Sequence, residues 1–314
     1  MPSYSGIWSL SQQFQAVGQG LWPSPPPLPE TLAIFALGNT GAASTTRDKY
    51  TYAGCVVSAG TASTAVSTQG SAAGNGTVGI FALGGTPSAS TTRNKYAYSG
   101  CVVSAGGVAT AASSCGSAAG NSTVGIFALG FTTNYATTRD KYTYAGCVVS
   151  AGGAATVASA VGAAAGNSTV GIFALGCVGG SRSSTRNKYT YSGDVVSAGT
   201  AATAASNYGS AAGNSTTGIF ALGQAPSAST TRNKYTYSGD VVSAGGAATV
   251  ASAQGSAAGN STVGIFALGC VASARSTTRD KYTYSGDVVS AGGAATAASR
   301  GGAAASNGTS GVNI

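Results

Sequence analysis

The phenylalanines Phe35, Phe81, Phe127, Phe173, Phe220 and Phe266 fall 46 residues apart, with one step of 47. Each sits in the same stretch, Gly-Asn-Ser-Thr-Val-Gly-Ile-Phe-Ala-Leu-Gly, which is intact at Gly120–Gly130, Gly166–Gly176 and Gly259–Gly269. A second stretch follows each copy and reads Thr-Thr-Arg-Asn-Lys-Tyr-Thr-Tyr-Ser-Gly-Asp-Val-Val at Thr230–Val242. A fixed period of about 40–50 residues points to a solenoid or a propeller, and it overrides what chain length alone would suggest. With 49 Gly and only 7% charged residues the chain would otherwise pass for low complexity. Each repeat, however, keeps Ile-Phe-Ala-Leu, two Tyr and a Val-Val pair, enough apolar surface for a core of mostly small side chains.

Within one repeat, Val-Gly-Ile-Phe-Ala is a short apolar run and reads as a buried strand. Arg-Asn-Lys-Tyr-Thr-Tyr alternates and is rich in Tyr and Thr, a second strand. Period-two alternation puts Arg47, Lys49 and Thr51 on one face and Asp48, Tyr50 and Tyr52 on the other. Ser-Gly-Asp is a turn, and Val-Val-Ser-Ala opens a third strand. The Ala/Ser/Gly stretch, for example Ala251–Ala258, is the fourth, closed by an Asn-Ser or Asn-Gly turn. Four short strands per repeat make a propeller blade. The expectation is an all-β chain with a β-propeller over residues 31–314. Six copies argue for six blades, with the final Ala/Ser strand, Ala294–Ser306, completing the first. Asn307–Ile314 starts another copy, and Tyr4-Ser-Gly6 echoes the Tyr-Ser-Gly turn, so a seventh blade built by both termini stays open.

Residues 1–30 form a separate segment. Ser9-Leu-Ser-Gln12 reads as a capping box, with Leu10, Phe14 and Val17 on one helical face, so a short helix is predicted near Leu10–Val17. Trp8 and Trp22, the only two Trp, flank it, and Pro23–Pro29 is a stiff extended linker. The segment either caps the ring or docks the chain on a partner through Trp8, Leu10, Phe14, Val17 and Trp22. There is no signal-peptide pattern and no run of 18 apolar residues.

A strand ending in Gly (Leu129-Gly130), a variable loop, a Lys-Tyr-x-Tyr strand, a tight turn and a polar return resemble the kelch family of β-propellers over residues 31–314. Typical kelch repeats have Gly-Gly where this chain has Leu-Gly, and Trp where it has Val241 or Val242. That resemblance implies a fold and is nearly silent on function. The stretch from Tyr4 to Pro23, Tyr-Ser-Gly-Ile-Trp-Ser-Leu-Ser-Gln-Gln-Phe-Gln-Ala-Val-Gly-Gln-Gly-Leu-Trp-Pro, resembles the short leader that precedes diverse repeat domains in tailed-bacteriophage and phage-like proteins. It implies that residues 1–30 mount a display domain on other virion proteins, in an oligomeric assembly made in the host cytoplasm.

The chemistry of the chain points away from catalysis. It holds no His and a single Glu, Glu30, and its repeated Asp residues do not make one asymmetric acid–base pair. No catalytic residue, metal site or cofactor is expected. The six Cys are expected to be free: Cys55, Cys101 and Cys147 share a slot with Asp194, Asp240 and Asp287 and belong to different blades. The net charge of +8 comes largely from one Arg and one Lys per repeat, with no basic run, so nucleic acid is not indicated. Those Arg and Lys stems either pack between blades over the Tyr rings, with their heads at the rim, or form a basic ring that meets a host surface glycan or another acidic surface. The Asn-x-Thr triplets at Asn75, Asn121, Asn167, Asn214, Asn260 and Asn307 are read as turn chemistry before glycosylation.

Two sites vary between repeats. One is the loop after Leu-Gly, from Asn39, Gly85, Phe131, Cys177, Gln224 or Cys270. The other is the pair Thr68-Gln69, Ser114-Cys115, Ala160-Val161, Asn207-Tyr208 or Ala253-Gln254, and Arg300 in the last repeat. Divergence on a constant frame is what a display scaffold shows, against ordinary drift in solvent. Phe131, Tyr135, Tyr208, Arg182 and Arg275 are the candidate surface-binding residues. The expected function is a non-enzymatic virion structural or display protein, a tail-fibre, tail-tip or capsid-decoration subunit. The competing reading is a free-standing carbohydrate- or protein-binding propeller module.

Overall fold

The computed structural model describes residues 31–85 and 88–308. The chain divides into two units, Met1–Glu30 and Thr31–Ile314. The helix expected near Leu10–Val17, and the docking residues on it, lie outside the described residues.

The described chain is all-β and propeller-like. Six four-stranded antiparallel sheets account for most of it, with two small three-stranded sheets beside them. The second sheet shows the plan. Its innermost strand, Ser71–Gly74, pairs with Val78–Ala82, which pairs with Arg93–Ala97, which pairs with Val102–Ala105 at the outer edge. The innermost strands of successive sheets touch one another in a closed cycle. Four strands were expected per repeat. The expected fourth, Ala251–Ala258, is divided: Ser252–Ala253 joins a small sheet, and Ser256–Gly259 is the innermost strand of the sixth sheet.

The cycle closes through the chain's late residues. Ala303–Ser306 is the innermost strand of the first sheet and pairs with Leu32–Ala36. Asn307 then repeats the turn found elsewhere. Asn75 N–H donates to Val78 O and its Oδ1 accepts from Val78 N–H at 3.0 Å. Asn307 N–H donates to Leu32 O, and its Oδ1 accepts from Leu32 N–H at 2.7 Å. The first sheet is thus completed by a turn whose two halves are 275 residues apart. The turn side chains carry structure elsewhere too: Asn75 Nδ2 donates to Ser122 O of the next sheet at 3.0 Å.

The innermost strands must be small because neighbouring backbones crowd there. A Cβ on Gly120 would lie 2.7 Å from Val124 O and from Tyr144 Oη, and 3.1 Å from Gly125 Cα. The first sheet departs from this pattern. Ser306 replaces the glycine found at Gly74, and its hydroxyl accepts from Tyr52 Oη at 3.1 Å. The equivalent hydroxyls of Tyr98, Tyr144, Tyr191, Tyr237 and Tyr284 have no hydrogen-bond partner.

The joints between sheets are built from charge. The Arg that opens each third strand is 1% exposed. Its guanidinium lies over the Phe of the next sheet, for example Arg93 over Phe127 at 4.6 Å, a cation–π contact stabilising by about 2 kcal/mol when desolvated. The arginine stems pack between sheets as expected, but their heads do not reach the rim where that reading put them, and the arginine part of a basic ring is removed. Both faces of the third strand are covered at this end, because each sheet is sandwiched between two others.

Each Arg meets an Asp or Asn of the next sheet. Arg93 Nη2 pairs with Asp140 Oδ2 at 2.7 Å, both side chains fully buried, and Arg232–Asp280 and Arg279–Asp48 are alike. Arg47, Arg139 and Arg186 donate instead to Asn94, Asn187 and Asn233 at 3.1–3.2 Å. A threonine makes the two interchangeable. Thr110 Oγ1 donates to Asp140 Oδ1 at 2.5 Å, whereas Thr64 Oγ1 accepts from Asn94 Nδ2 at 2.7 Å. The hydroxyl turns to suit either partner.

Burial holds the Arg47, Arg139 and Arg186 guanidiniums down at about 10. It also pushes twelve Tyr phenols above their usual 10, with nearby Cys or Asp groups adding to the shift for Tyr50, Tyr96, Tyr142, Tyr189, Tyr235 and Tyr282 and Ser306 opposing it for Tyr52. Neighbouring Tyr residues add to it for Tyr98, Tyr144, Tyr191, Tyr237 and Tyr284.

Replacing Arg93 by Met leaves Asp140 buried without its cation. Urea unfolding is expected to show a loss of about 3–5 kcal/mol, whereas Asn94→Asp holds stability because Thr64 turns its hydroxyl; a loss under about 1 kcal/mol for Arg93→Met contradicts this account. The phenols set the alkaline limit. With folded values above the unfolded 10, the folded chain keeps protons that the unfolded chain releases, so stability is full below pH 10 and falls as pH rises above it. The depressed arginines act in the opposite sense but are fewer. Thermal melts across pH 8–12 are expected to fall steeply beyond 10.

Candidate binding face

The two variable sites converge on one face. Asn39 bridges Arg300, Thr68 bridges Gly85, Ser114 bridges Phe131, and Asn207 bridges Gln224. Ala160 pairs with Cys177 and Ala253 with Cys270 in the two small sheets. Each loop that follows Leu-Gly therefore lies against the residue that precedes an innermost strand. From the axis outward, the face carries an inner circle (Gln69, Cys115, Val161, Tyr208, Gln254, Gly301) and then these bridged pairs.

The inner circle is held by backbone alone. Cys115 N–H donates to Gln69 O, Val161 to Cys115, Tyr208 to Val161, Gln254 to Tyr208, Gly301 to Gln254, and Gln69 to Gly301, at 2.6–2.9 Å. Six hydrogen bonds thus close a ring around the axis. All six residues have positive φ, between 53° and 61°. For Val161, a β-branched residue, that conformation is strained by about 1–3 kcal/mol.

The ring frames a cavity of about 220 Å³. Its walls include Asn39, Thr68, Gln69, Cys115, Val161, Tyr208, Gln254 and Arg300. No carboxylate is among its lining residues. Below it a narrower space of about 80 Å³ runs between the Ser and Ala residues of the innermost strands. Burial, with Cys115, Cys177 and Tyr135 nearby, pushes the Tyr208 phenol up. Burial, opposed by Ser114 and assisted by Cys177, pushes the Cys115 thiol up. At neutral pH the mouth therefore presents a neutral phenol, a neutral thiol, amides and one guanidinium.

The sequence-based surface candidates all fall on this face. Phe131, 40% exposed, meets Tyr135 edge-on with ring centroids 5.8 Å apart, and Tyr135 lies close enough to influence Tyr208. Arg182 and Arg275 occupy the same place on two short hairpins, paired with Cys177 and Cys270 respectively. Arg275 Nε donates to Asn39 Oδ1 at 2.7 Å, which fixes it beside the mouth. The sequence reading did not single out Gln69, Gln254 and Arg300 as binding residues. Their variation between repeats was the available signal, but their meeting at one axis required the topology.

Cys177 and Cys270 are buried beneath the face. Asn207 Nδ2 donates to Cys177 Sγ at 3.1 Å, and Arg300 Nη1 approaches Cys270 Sγ at 3.6 Å. All six cysteines are free. Among the described residues no cluster of three metal-ligating side chains occurs, and no helix is long and apolar enough to cross a membrane. Neither a scan of protein-family models nor a search of curated proteins finds a match to the chain.

Relieving the strain at Val161 is the direct check on the mouth. Val161→Asn, which suits positive φ, is expected to raise stability by about 1 kcal/mol, read as a higher urea midpoint at unchanged slope; an unchanged or lower midpoint contradicts the strain.

Proposed function

We propose that this chain is a non-enzymatic display protein of a tailed-phage particle, a tail-fibre, tail-tip or capsid-decoration subunit. Residues 1–30 anchor it to other virion proteins, and a six-bladed kelch-like ring presents a binding face. One observation carries the display reading: variation between repeats gathers around a single axial mouth while the joints between sheets repeat. Drift in solvent would scatter over every exposed turn, yet the Asn turns and the outer strands stay nearly constant. The virion assignment rests on the resemblance of residues 4–23 to phage leaders.

The chemistry of the mouth favours a sugar. Amides at Gln69 and Gln254 offer donors and acceptors, Tyr208 offers a ring face and a hydroxyl, and Arg300 offers a cation. The cavity is smaller than the roughly 300–1,000 Å³ of drug-sized sites, so it suits a terminal residue of a surface glycan, with Phe131, Tyr135 and Arg275 around it. The same mouth supports the second reading, a free-standing carbohydrate-binding module. All six Asp are engaged in ion pairs between sheets, which leaves the mouth without an acid–base pair.

Labelled full-length chain on an array of bacterial surface glycans is expected to bind a restricted set. Tyr208→Ala and Arg300→Ala should each weaken that binding about tenfold, the equivalent of ~1.4 kcal/mol, at unchanged melting temperature. Binding that survives both substitutions places recognition elsewhere.

A further inference from the structure

The slot after the turn glycine holds Asp in three sheets and Cys in the other three. Where it holds Asp, two donors fill it. Lys141 Nζ reaches Asp194 Oδ2 at 2.9 Å from the preceding sheet, and Tyr189 Oη donates to Asp194 Oδ1 at 2.7 Å. Lys234 and Tyr282 hold Asp287 in the same way, and Lys188 and Tyr235 hold Asp240. In the third sheet the slot holds Cys147. Lys95 Nζ lies 3.8 Å from Cys147 Sγ. Tyr142 is fully buried, and its Oη has no hydrogen-bond partner. It faces the slot all the same: after burial, Cys147 is the largest influence pushing the phenol up, as Asp194 is for Tyr189. Tyr50 and Tyr96 stand beside Cys55 and Cys101 in the same way. At Cys147 the cradle keeps an ammonium and a phenol as donors and lacks the anion that its sister cradles hold.

We propose that Cys55, Cys101 and Cys147 are modification sites, at which hydrogen peroxide oxidises the thiol to a sulfinate that fills the cradle as aspartate does. In the first step the sulfur attacks one peroxide oxygen. An S–O bond forms, the O–O bond breaks, and the thiol and one peroxide become a sulfenic acid and water. A second peroxide adds another oxygen in the same way and leaves a sulfinic acid and a second water; its proton passes to solvent. The sulfur is oxidised by four electrons in all, and each of the two peroxides is reduced by two. The product carries one negative charge and two oxygens on the atom bonded to Cβ, as an aspartate carboxylate does, although its sulfur is pyramidal where the carboxylate carbon is planar. At Cys147 one oxygen accepts from the Lys95 ammonium of the preceding sheet and the other from the Tyr142 hydroxyl. The three thiols are partly exposed, so peroxide reaches them, as it does Cys115 at the mouth, outside these cradles, whereas Cys177 and Cys270 are buried. At Cys147 oxidation would add, with Lys95, an ion pair of the kind the Asp half of the ring already has. This does not depend on what the mouth binds.

The test treats the full chain with excess hydrogen peroxide, blocks the remaining thiols, and reads each cysteine peptide by mass spectrometry beside a thermal melt. The expected result is two added oxygens at Cys55, Cys101 and Cys147, none at Cys177 and Cys270, and a melting temperature a few degrees higher. The Cys55→Asp/Cys101→Asp/Cys147→Asp variant should start at the raised temperature and not respond. Lys95→Gln should shrink the gain while Cys147 is still oxidised. Oxidation spread evenly over all cysteines, none at these three, a lower melting temperature after oxidation, or a full gain in Lys95→Gln overturns the proposal. If the triple variant does not fold, Cys147→Asp alone is read in the same way.

Discussion

At each joint of the ring an arginine is taken out of water and laid over the phenylalanine of the next sheet, 4.5–4.7 Å from its centroid. Burying a cation costs several kcal/mol unless it is paired and hydrogen-bonded. Here the return comes from an aromatic face, an Asp or Asn across the joint, and a threonine hydroxyl that turns to match whichever is present. A buried cation of this kind has few alternative partners, so it sets the register of one sheet on the next as much as it holds them together. The small Ala, Ser and Gly residues near the axis follow from the same constraint, since the sheets converge where the joints are tightest.

A frame fixed at its joints leaves the axial face free to vary. The inner circle there is closed by six backbone hydrogen bonds, which ask nothing of the side chains. Gln, Cys, Val, Tyr and Gly all occupy it at the same positive φ, and even strained Val161 is accommodated. That is the physical reason one face can diversify while the rest of the molecule repeats itself. The opposite ends of the innermost strands have no such freedom, because their Asn side chains cap the turns and reach the neighbouring sheet.

Much of the fold was legible in the sequence. The Phe-bearing strand and the alternating Arg-Asn-Lys-Tyr-Thr strand correspond to observed ones, whereas of the Ala/Ser strand expected over Ala294–Ser306 only Ala303–Ser306 forms one. The burial of Arg47 and Asp48 together was not legible. Alternation assigns them to opposite faces, and only the presence of a sheet on both sides shows that neither meets water. The site was legible in pieces. Phe131, Tyr135 and Tyr208 stood out as aromatics at variable positions, but the two variable stretches lie about 30 residues apart in the chain. Their convergence depends on each innermost strand pairing with the following repeat, a long-range contact that composition does not carry. The shared Cys/Asp slot was visible as a substitution pattern, and the Lys and Tyr that explain it come from packing.

If the axial mouth is the working face of the ring, as proposed, it must stay open on an assembled particle. Electron cryomicroscopy of particles carrying this chain tests it most directly. The expected result is the mouth framed by Gln69, Cys115, Val161, Tyr208, Gln254 and Gly301 turned outward and open to solvent. A reconstruction in which that mouth is sealed against the particle, with the Asn75 and Asn121 turns facing solvent, would contradict it.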